Sequence, residues 1–451
     1  MTVPELNATL ALICHQRYST SRVPLNHSYI RPPDLLGELE HCFGNKNAQS
    51  DLSRFLIYTQ VTGGLLGAIS TPFLSSFSDR IGRRPILAFA AIGPLVCDSI
   101  FLLVLRYPDS VDMNWLLVGS AMVGLSGSTI GAMSASQAYM TDLAQPRDRA
   151  RLFSYLQAAM SFAGTLGPII AGVLLMMPNS LERIYWLAFG AHLSLGGVFL
   201  YVLPESRLLN HCSGSTQDCT LPANLPRKSF VRGIFSSLKS LWVSSASRRK
   251  NICILAAMDF TIVGVLMGLP SLQLAYTAFM FHWQPITQSF YISLICAWSI
   301  MVLVILFPIV MGLVRQRILS QDTVDSSAVF NFGEVSAIRV NLTLQMVGYL
   351  GIIFARVPSI FILSSILVAS AAPITPLLVS CLTAHVPSDQ PGPLLGALSF
   401  LHALARIFIP AALNATYIMT IGVFPAALFL VLAIIQGGLL LASTGIEMDS
   451  S

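Results

Sequence analysis

Charge is what this chain has least of. Only 10% of its 451 residues are Asp, Glu, Lys or Arg, where soluble domains carry about 25%. So few charges cannot cover a water-soluble body of this length. A hydrophobic share of 54% and a mean hydropathy of +0.70 point to lipid as the surrounding medium. Other absences narrow the function classes. No Cys-x-x-Cys pair or metal-suited Cys/His spacing occurs, so neither a metal nor a cofactor is expected. No Gly-x-x-x-x-Gly-Lys phosphate loop is present, which argues against direct ATP drive. No nucleophile–base set suggests an enzyme. The net charge of +5 sits in short loops between apolar runs, not on a basic face, so no nucleic-acid partner is expected.

What is present is a series of apolar runs, each long enough for a hydrocarbon core of roughly 30 Å. There are eleven: 53–76, 85–105, 114–138, 152–176, 184–203, 251–274, 288–313, 339–355, 357–384, 393–418 and 421–443. In a bilayer such runs must be helices, because only a helix satisfies its own backbone groups within one segment. The expected fold class is therefore all-α, a polytopic membrane protein. Residues 1–51 hold no run of spanning length: "LNATLALIC" is too short, and Glu5 with no basic start argues against a signal peptide.

Arginine sets the orientation. Arg80, Arg83 and Arg84 follow the first run, and Arg147, Arg149 and Arg151 the third. The long loop after the fifth carries Arg207, Arg227, Lys228, Arg232, Lys239, Arg248, Arg249 and Lys250, while 275–287 has no Lys or Arg. The arginine-rich loops belong in the cytoplasm. The division is then an extracytoplasmic segment 1–51, a helical bundle 52–203, a basic cytoplasmic linker 204–250, a second bundle 251–443 and a cytoplasmic tail 444–451. Within the linker, 229–243 places Phe230, Ile234, Phe235, Leu238, Leu241 and Trp242 at helical spacing. That pattern suits an amphipathic helix on the inner membrane surface, and equally a linker helix packed on the bundle. Two bundles joined this way suggest a pair of pseudo-repeats.

The loop "SSFSDRIGRR" (75–84) resembles the signature between helices 2 and 3 of the major facilitator superfamily, Gly-x-x-x-Asp-Arg-x-Gly-Arg-Arg/Lys. Ser75 replaces its first glycine, while Asp79, Arg80, Gly82, Arg83 and Arg84 match. "YMTDLAQPRDRAR" (139–151), with Asp142 and Arg149, resembles the end of that family's helix 4, where an acid faces the signature arginine. The resemblance implies a charge network that latches two halves in one state and releases in another; the plainer reading is that these arginines only orient the chain. "AGTLGPIIAG" (163–172), with Gly164, Gly167, Pro168 and Gly172, resembles the Gly-Pro motif of helix 5 in drug and metabolite antiporters, though Ala163 and Ala171 depart from it. "VGSAMVG" (118–124) lacks the family's helix-4 arginine, and "PESR" (204–207) agrees with the end of its helix 6. Only one run precedes the signature loop, where the family has two. "VPELNATLALICHQRY" resembles the outer end of helix 1, so this chain reads as lacking most of it.

Ionisable residues inside spans are costly and mark functional sites. Asp259 lies nine residues past Lys250, roughly 13 Å deep at ~1.5 Å per residue. The resemblance puts it on the seventh family helix, beside the central cavity. Arg406 is near the middle of the run 393–418, with His402 one turn before it on the same face. Asp259 fits a proton-coupling group, a static partner of Arg406, or a cavity wall. His402 fits either the same site or a packing hydrogen bond. Asp98 reads as a scaffold hydrogen bond; Gln60, Gln137, Tyr139 and Gln157 could meet a solute or pack between helices.

Sequons stand at Asn7, Asn26, Asn341 and Asn414; Asn7 and Asn26 fall in the external segment and are the glycan candidates. Cys14 and Cys42 can pair if that segment is extracytoplasmic, whereas Cys97, Cys253, Cys296 and Cys381 lie in apolar runs. The resemblance implies a fold of two helical bundles, about eleven spanning helices here against the family's twelve, and a monomer that moves a small organic solute with protons by alternating access. The tetracycline-resistance and folate-carrier-like branches, including those beside fungal secondary-metabolite pathways, are the nearest in pattern. Export across the plasma membrane is the favoured reading. Import by the same fold, or a transport-inactive receptor or scaffold, are the alternatives.

Overall fold

The computed structural model describes residues 2–18, 42, 45–127, 131–133, 135–136, 139–140, 149–177, 180–205, 246–319, 326–384 and 391–446. Among them the chain is helical throughout. The helices are α1 (Thr2–Ile13, with a π turn Cys14–Tyr18), α2 (Lys46–Ile81), α3 (Arg83–Arg106), α4 (Trp115–Leu125), α5 (Arg149–Leu175) and α6 (Ser180–Gly197, with a π turn Val198–Val202). There follow α7 (Ala246–Phe281), α8 (Pro285–Met301, continued through Val302–Leu306 into Phe307–Leu319), α9 (Ser326–Ile353), α10 (Pro358–Ala369, resuming at Ile374–Ala384), α11 (Pro391–Thr420) and α12 (Ala427–Thr444). Each of the eleven apolar runs falls on a helix, with 114–138 described only in part. Eight described stretches are long and apolar enough to cross a membrane, and Trp115–Leu125 and Phe162–Leu175 are shorter apolar helices.

Local chemistry places the breaks. Asn45 caps α2 by accepting from the backbone N–H of Asn47 and Ala48. Gly82 separates α2 from α3 with φ +115°. Pro358 opens α10, and the extended Val357 before it ends the run from α9. The helix α9 begins at Ser326, well before the apolar run at 339, because polar residues in its first turns hide it from a hydropathy reading.

The chain divides into two compact units: Met1–Ala163, Gly167–Lys228 and Thr277–Ser289 form one, and Gly164–Leu166, Ser229–Tyr276 and Phe290–Ser451 the other. In the first, α3 packs on α4 and α6, and α2 on α4. Small residues allow the α2–α4 approach: a Cβ at Gly124 would stand 2.5 Å from the Gly63 carbonyl oxygen. Ser70 Oγ donates to the Gly124 carbonyl at 2.6 Å and Thr71 Oγ1 to that of Gly127 at 3.1 Å. In the second unit, α9 packs on α10 and α12. Its core joins Ile252, Leu255 and Met258 of α7 to Ile338 and Leu342 of α9 and Leu377, Leu378 and Leu382 of α10. Large apolar side chains such as Leu441, Ile434, Val340 and Leu313 stay exposed, as a lipid-facing surface requires.

Residues 2–18 depart from the sequence reading. Although too short to span, they form a helix with Leu6, Leu10, Leu12 and Ile13 fully buried. The turn that follows is tied down residue by residue. Cys14 is disulfide-bonded to Cys42. His15 Nε2 meets Asp109 at 2.9 Å. Gln16 donates to the carbonyls of Pro108 and Val111 and accepts from the Met113 N–H. Arg17 and Tyr18 both bond Asp51, at 3.1 and 2.9 Å. Burial, and the bond donated to Asp51, raise the Tyr18 phenol above its ordinary value. Asn7 is not the exposed glycan acceptor expected of an external segment. It is buried, and its Nδ2 donates to the Val3 carbonyl and to Gln288 Oε1, both at 2.9 Å, which leaves no room for a sugar. The candidate Asn26 and the stretch 229–243 lie outside the described residues.

Candidate functional site

Asp259 and Asp98 each lie in an apolar run, and the structure gives each an imidazole. Asp259, on α7, is fully buried. His402, on α11, brings Nε2 to 2.5 Å from its Oδ2. The other carboxylate oxygen, Oδ1, is buried with no hydrogen-bond partner among the described residues. Glycines set the distance between these helices. A Cβ at Gly264 would stand 2.5 Å from Ile409 Cβ, and one at Gly268 would stand 3.0 Å from Pro410 Cα. Backbones this close hold α7 against α11 just beyond the pair, so the imidazole is directed at the acid by packing. Arg406, one turn after His402, is half-buried on the same helix. The carboxylate is therefore engaged by His402, for which sequence favours a packing role, where the sequence reading pairs the acid with Arg406.

The pair has a definite chemistry. A carboxylate hydrogen-bonded to an imidazole can hold one proton between them, and the side chain of His402 is 27% exposed while that of Asp259 is sealed. The acid alone would be an expensive charge in this setting.

The first unit holds the second pair. Asp98 on α3, 4% exposed, meets His192 Nδ1 of α6 at 2.6 Å. This is the scaffold hydrogen bond that sequence suggested, joining two helices already packed together.

At the α2–α3 turn the structure builds a cap. The Arg83 and Arg84 backbone N–H groups donate to the two carboxylate oxygens of Glu205, at 2.8 and 3.1 Å. An acid at a helix N-terminus satisfies orphan donors and complements the helix dipole. Arg83 also reaches Ser78 Oγ at 3.1 Å, and Arg84 Nε donates to the Phe199 carbonyl at 3.2 Å. Tyr139 donates to the Pro204 carbonyl at 3.0 Å; burial, then the nearby Glu205 charge, push its phenol upward. Glu205 was legible only as part of "PESR"; its role needed the fold. Asp79 and Arg80 lie on α2 and Arg149 on α5 by backbone, while Asp142 and Gln137 lie outside the described residues. On α5, Gly172 faces Ser289, whose Cβ would be 3.1 Å from an added Cβ, whereas Gly167 faces nothing within 4 Å. Among the described residues no group of three or more His, Cys, Asp or Glu could hold a metal.

The sequence pattern described as "Major Facilitator Superfamily" matches residues 47–410. The chain is 46% identical over 456 residues to the MFS-type transporter avaJ of Aspergillus versicolor, covering 100% of this chain and 86% of that protein. It is 23% identical over 392 residues to the proton-coupled folate transporter of Bos taurus, covering 84% of this chain and 76% of that one. In fold it is similar to the human organic anion transporter MFSD10 (TETRAN), with a TM-score of 0.60, 20% identity, and 99% and 98% of the two chains covered.

Proposed function

Since the chain belongs to the Major Facilitator Superfamily, we propose that it exports a small organic solute by alternating access, driven by protons moving inward across the plasma membrane. It is an integral, multi-pass membrane protein of a family that handles small-molecule solutes. The observation that carries the proton-coupled reading is the Asp259–His402 pair: a sealed acid, 2.5 Å from a partly exposed imidazole, on two helices held close by glycine packing. Taking up a proton neutralises Asp259 and weakens its hold on His402; losing it re-forms the charged contact. A bound solute that favours one of these conditions couples the two fluxes.

Three further features support this reading. The likeness to a transporter named for proton coupling fits the acid–imidazole pair. The Gly-Pro pattern of α5 resembles antiporters, which favours exchange over uptake. The Glu205 cap holds the signature loop in one arrangement, as a conformational switch needs. The test is Asp259→Asn in sealed vesicles with an imposed pH gradient. Gradient-driven flux of solute should be abolished while insertion and folding persist. Unchanged gradient-driven transport would remove Asp259 from the coupling role, and flux running with the proton would reverse the direction.

A further inference from the structure

The segment Thr277–Ser289, where α7 ends and α8 begins, groups with the first unit and not with the helices it extends. Loop charge puts it on the outer side, since 275–287 has no Lys or Arg. Polar side chains hold it there. Asn7 Nδ2 on α1 donates to Gln288 Oε1 at 2.9 Å, and Gln288 Nε2 donates to Thr277 Oγ1 at 3.5 Å. All three residues are completely buried. Ser289 is buried too, and it sits against Gly172 of α5, where a Cβ would come within 3.1 Å of Ser289 Cβ.

This arrangement costs something to maintain. Asn7 Oδ1 is sealed with no hydrogen-bond partner among the described residues, and an unmet buried acceptor is unfavourable. Water entering at the outer ends of α7 and α8 would satisfy that oxygen and both amides. The chain of amides therefore holds the segment but resists its release only weakly, since most of each bond is recovered in water.

We propose that the Asn7–Gln288–Thr277 chain is an outer latch of the transport cycle, breaking each time Thr277–Ser289 leaves the first unit. This rests on the alternating-access reading above. Its size follows from its parts: removing one such bond should shift the balance toward the released form by about fivefold, the effect of roughly one hydrogen bond.

The test places a reporter cysteine at Ser289→Cys and measures its labelling in intact cells by a membrane-impermeant maleimide, with the chain lacking the reporter as background. Gln288→Leu breaks both bonds of the chain and should raise the labelling rate by at least about fivefold. Asn7→Ser, too short to reach Gln288, should do the same and serves if Gln288→Leu does not reach the membrane. Exchanging the two amides, Asn7→Gln with Gln288→Asn, restores a bond of the same total reach and should return labelling to near the reporter chain alone. Equal labelling in all versions overturns the latch and leaves alternating access standing. An exchange that labels as fast as the single variants also overturns it. No labelling in any version means the segment never leaves the first unit, and both readings fail.

Discussion

Replacing Gly82 by alanine probes the cap at the α2–α3 turn more directly than any change to the arginines. The backbone there has φ +115° and ψ 165°, a region open almost only to glycine. Holding alanine in it costs about 2 kcal/mol. The new Cβ would also strike the Glu205 carboxylate. Displacing that group loses its bonds to the Arg83 and Arg84 N–H groups. Glu205 is half-buried, so water replaces part of each bond, and the two together are worth about 2 kcal/mol. Gly82→Ala should therefore destabilise by about 4 kcal/mol and Glu205→Ala by about 2 kcal/mol. The double variant has no carboxylate left to displace, so it should cost about 4 and not about 6 kcal/mol, a coupling of about 2 kcal/mol. The assay is the unfolding free energy of the purified protein in mixed micelles, measured for all four members of the cycle. Additive costs would refute the shared origin of the two effects, and a Gly82→Ala cost below about 0.5 kcal/mol would refute the strain itself.

Other predictions bear on separate parts of the molecule. His192→Phe leaves Asp98 buried beside an apolar ring and should lower stability by about 2–3 kcal/mol. The pH dependence of transport should stay in place, whereas Asp259→Asn removes it; a changed pH profile in the His192 variant would make the first pair part of coupling. Cys14→Ser opens the Cys14–Cys42 link, 28 residues apart, and should cost about 3 kcal/mol. The readout is thermal unfolding with and without reductant: reductant should destabilise the parent chain and leave the variant unchanged.

Much of the candidate site is written in residue types and spacing. Asp259 and Asp98 stand out because an acid in an apolar run has few reasons to be there. The loop at 75–84 stands out because its arginines cannot enter lipid. Partners are another matter. Sequence put Arg406 and His402 on one face of one helix and paired Asp259 with Arg406, since both lie within reach of α7 until the helix rotation is known. The choice fell to Gly264 and Gly268, which bring α7 against Ile409 and Pro410 and so set which side chain faces Asp259. Asn7 was misplaced for the same kind of reason. Its sequon and polar neighbours look external, but the bond to Gln288 lies 281 residues away along the chain.

By itself, then, the sequence determined the medium, the limits of most helices and the family pattern. Those properties follow from transfer of apolar surface and from backbone hydrogen bonding, which act locally along the chain. Only the tertiary structure decided that Glu205 caps α3, that His402 takes the Asp259 carboxylate, and that Thr277–Ser289 is held to α1. Each of these is a short polar contact between residues distant in sequence. Its existence depends on helix rotation and on the close approach that a few glycines permit, which no local pattern records.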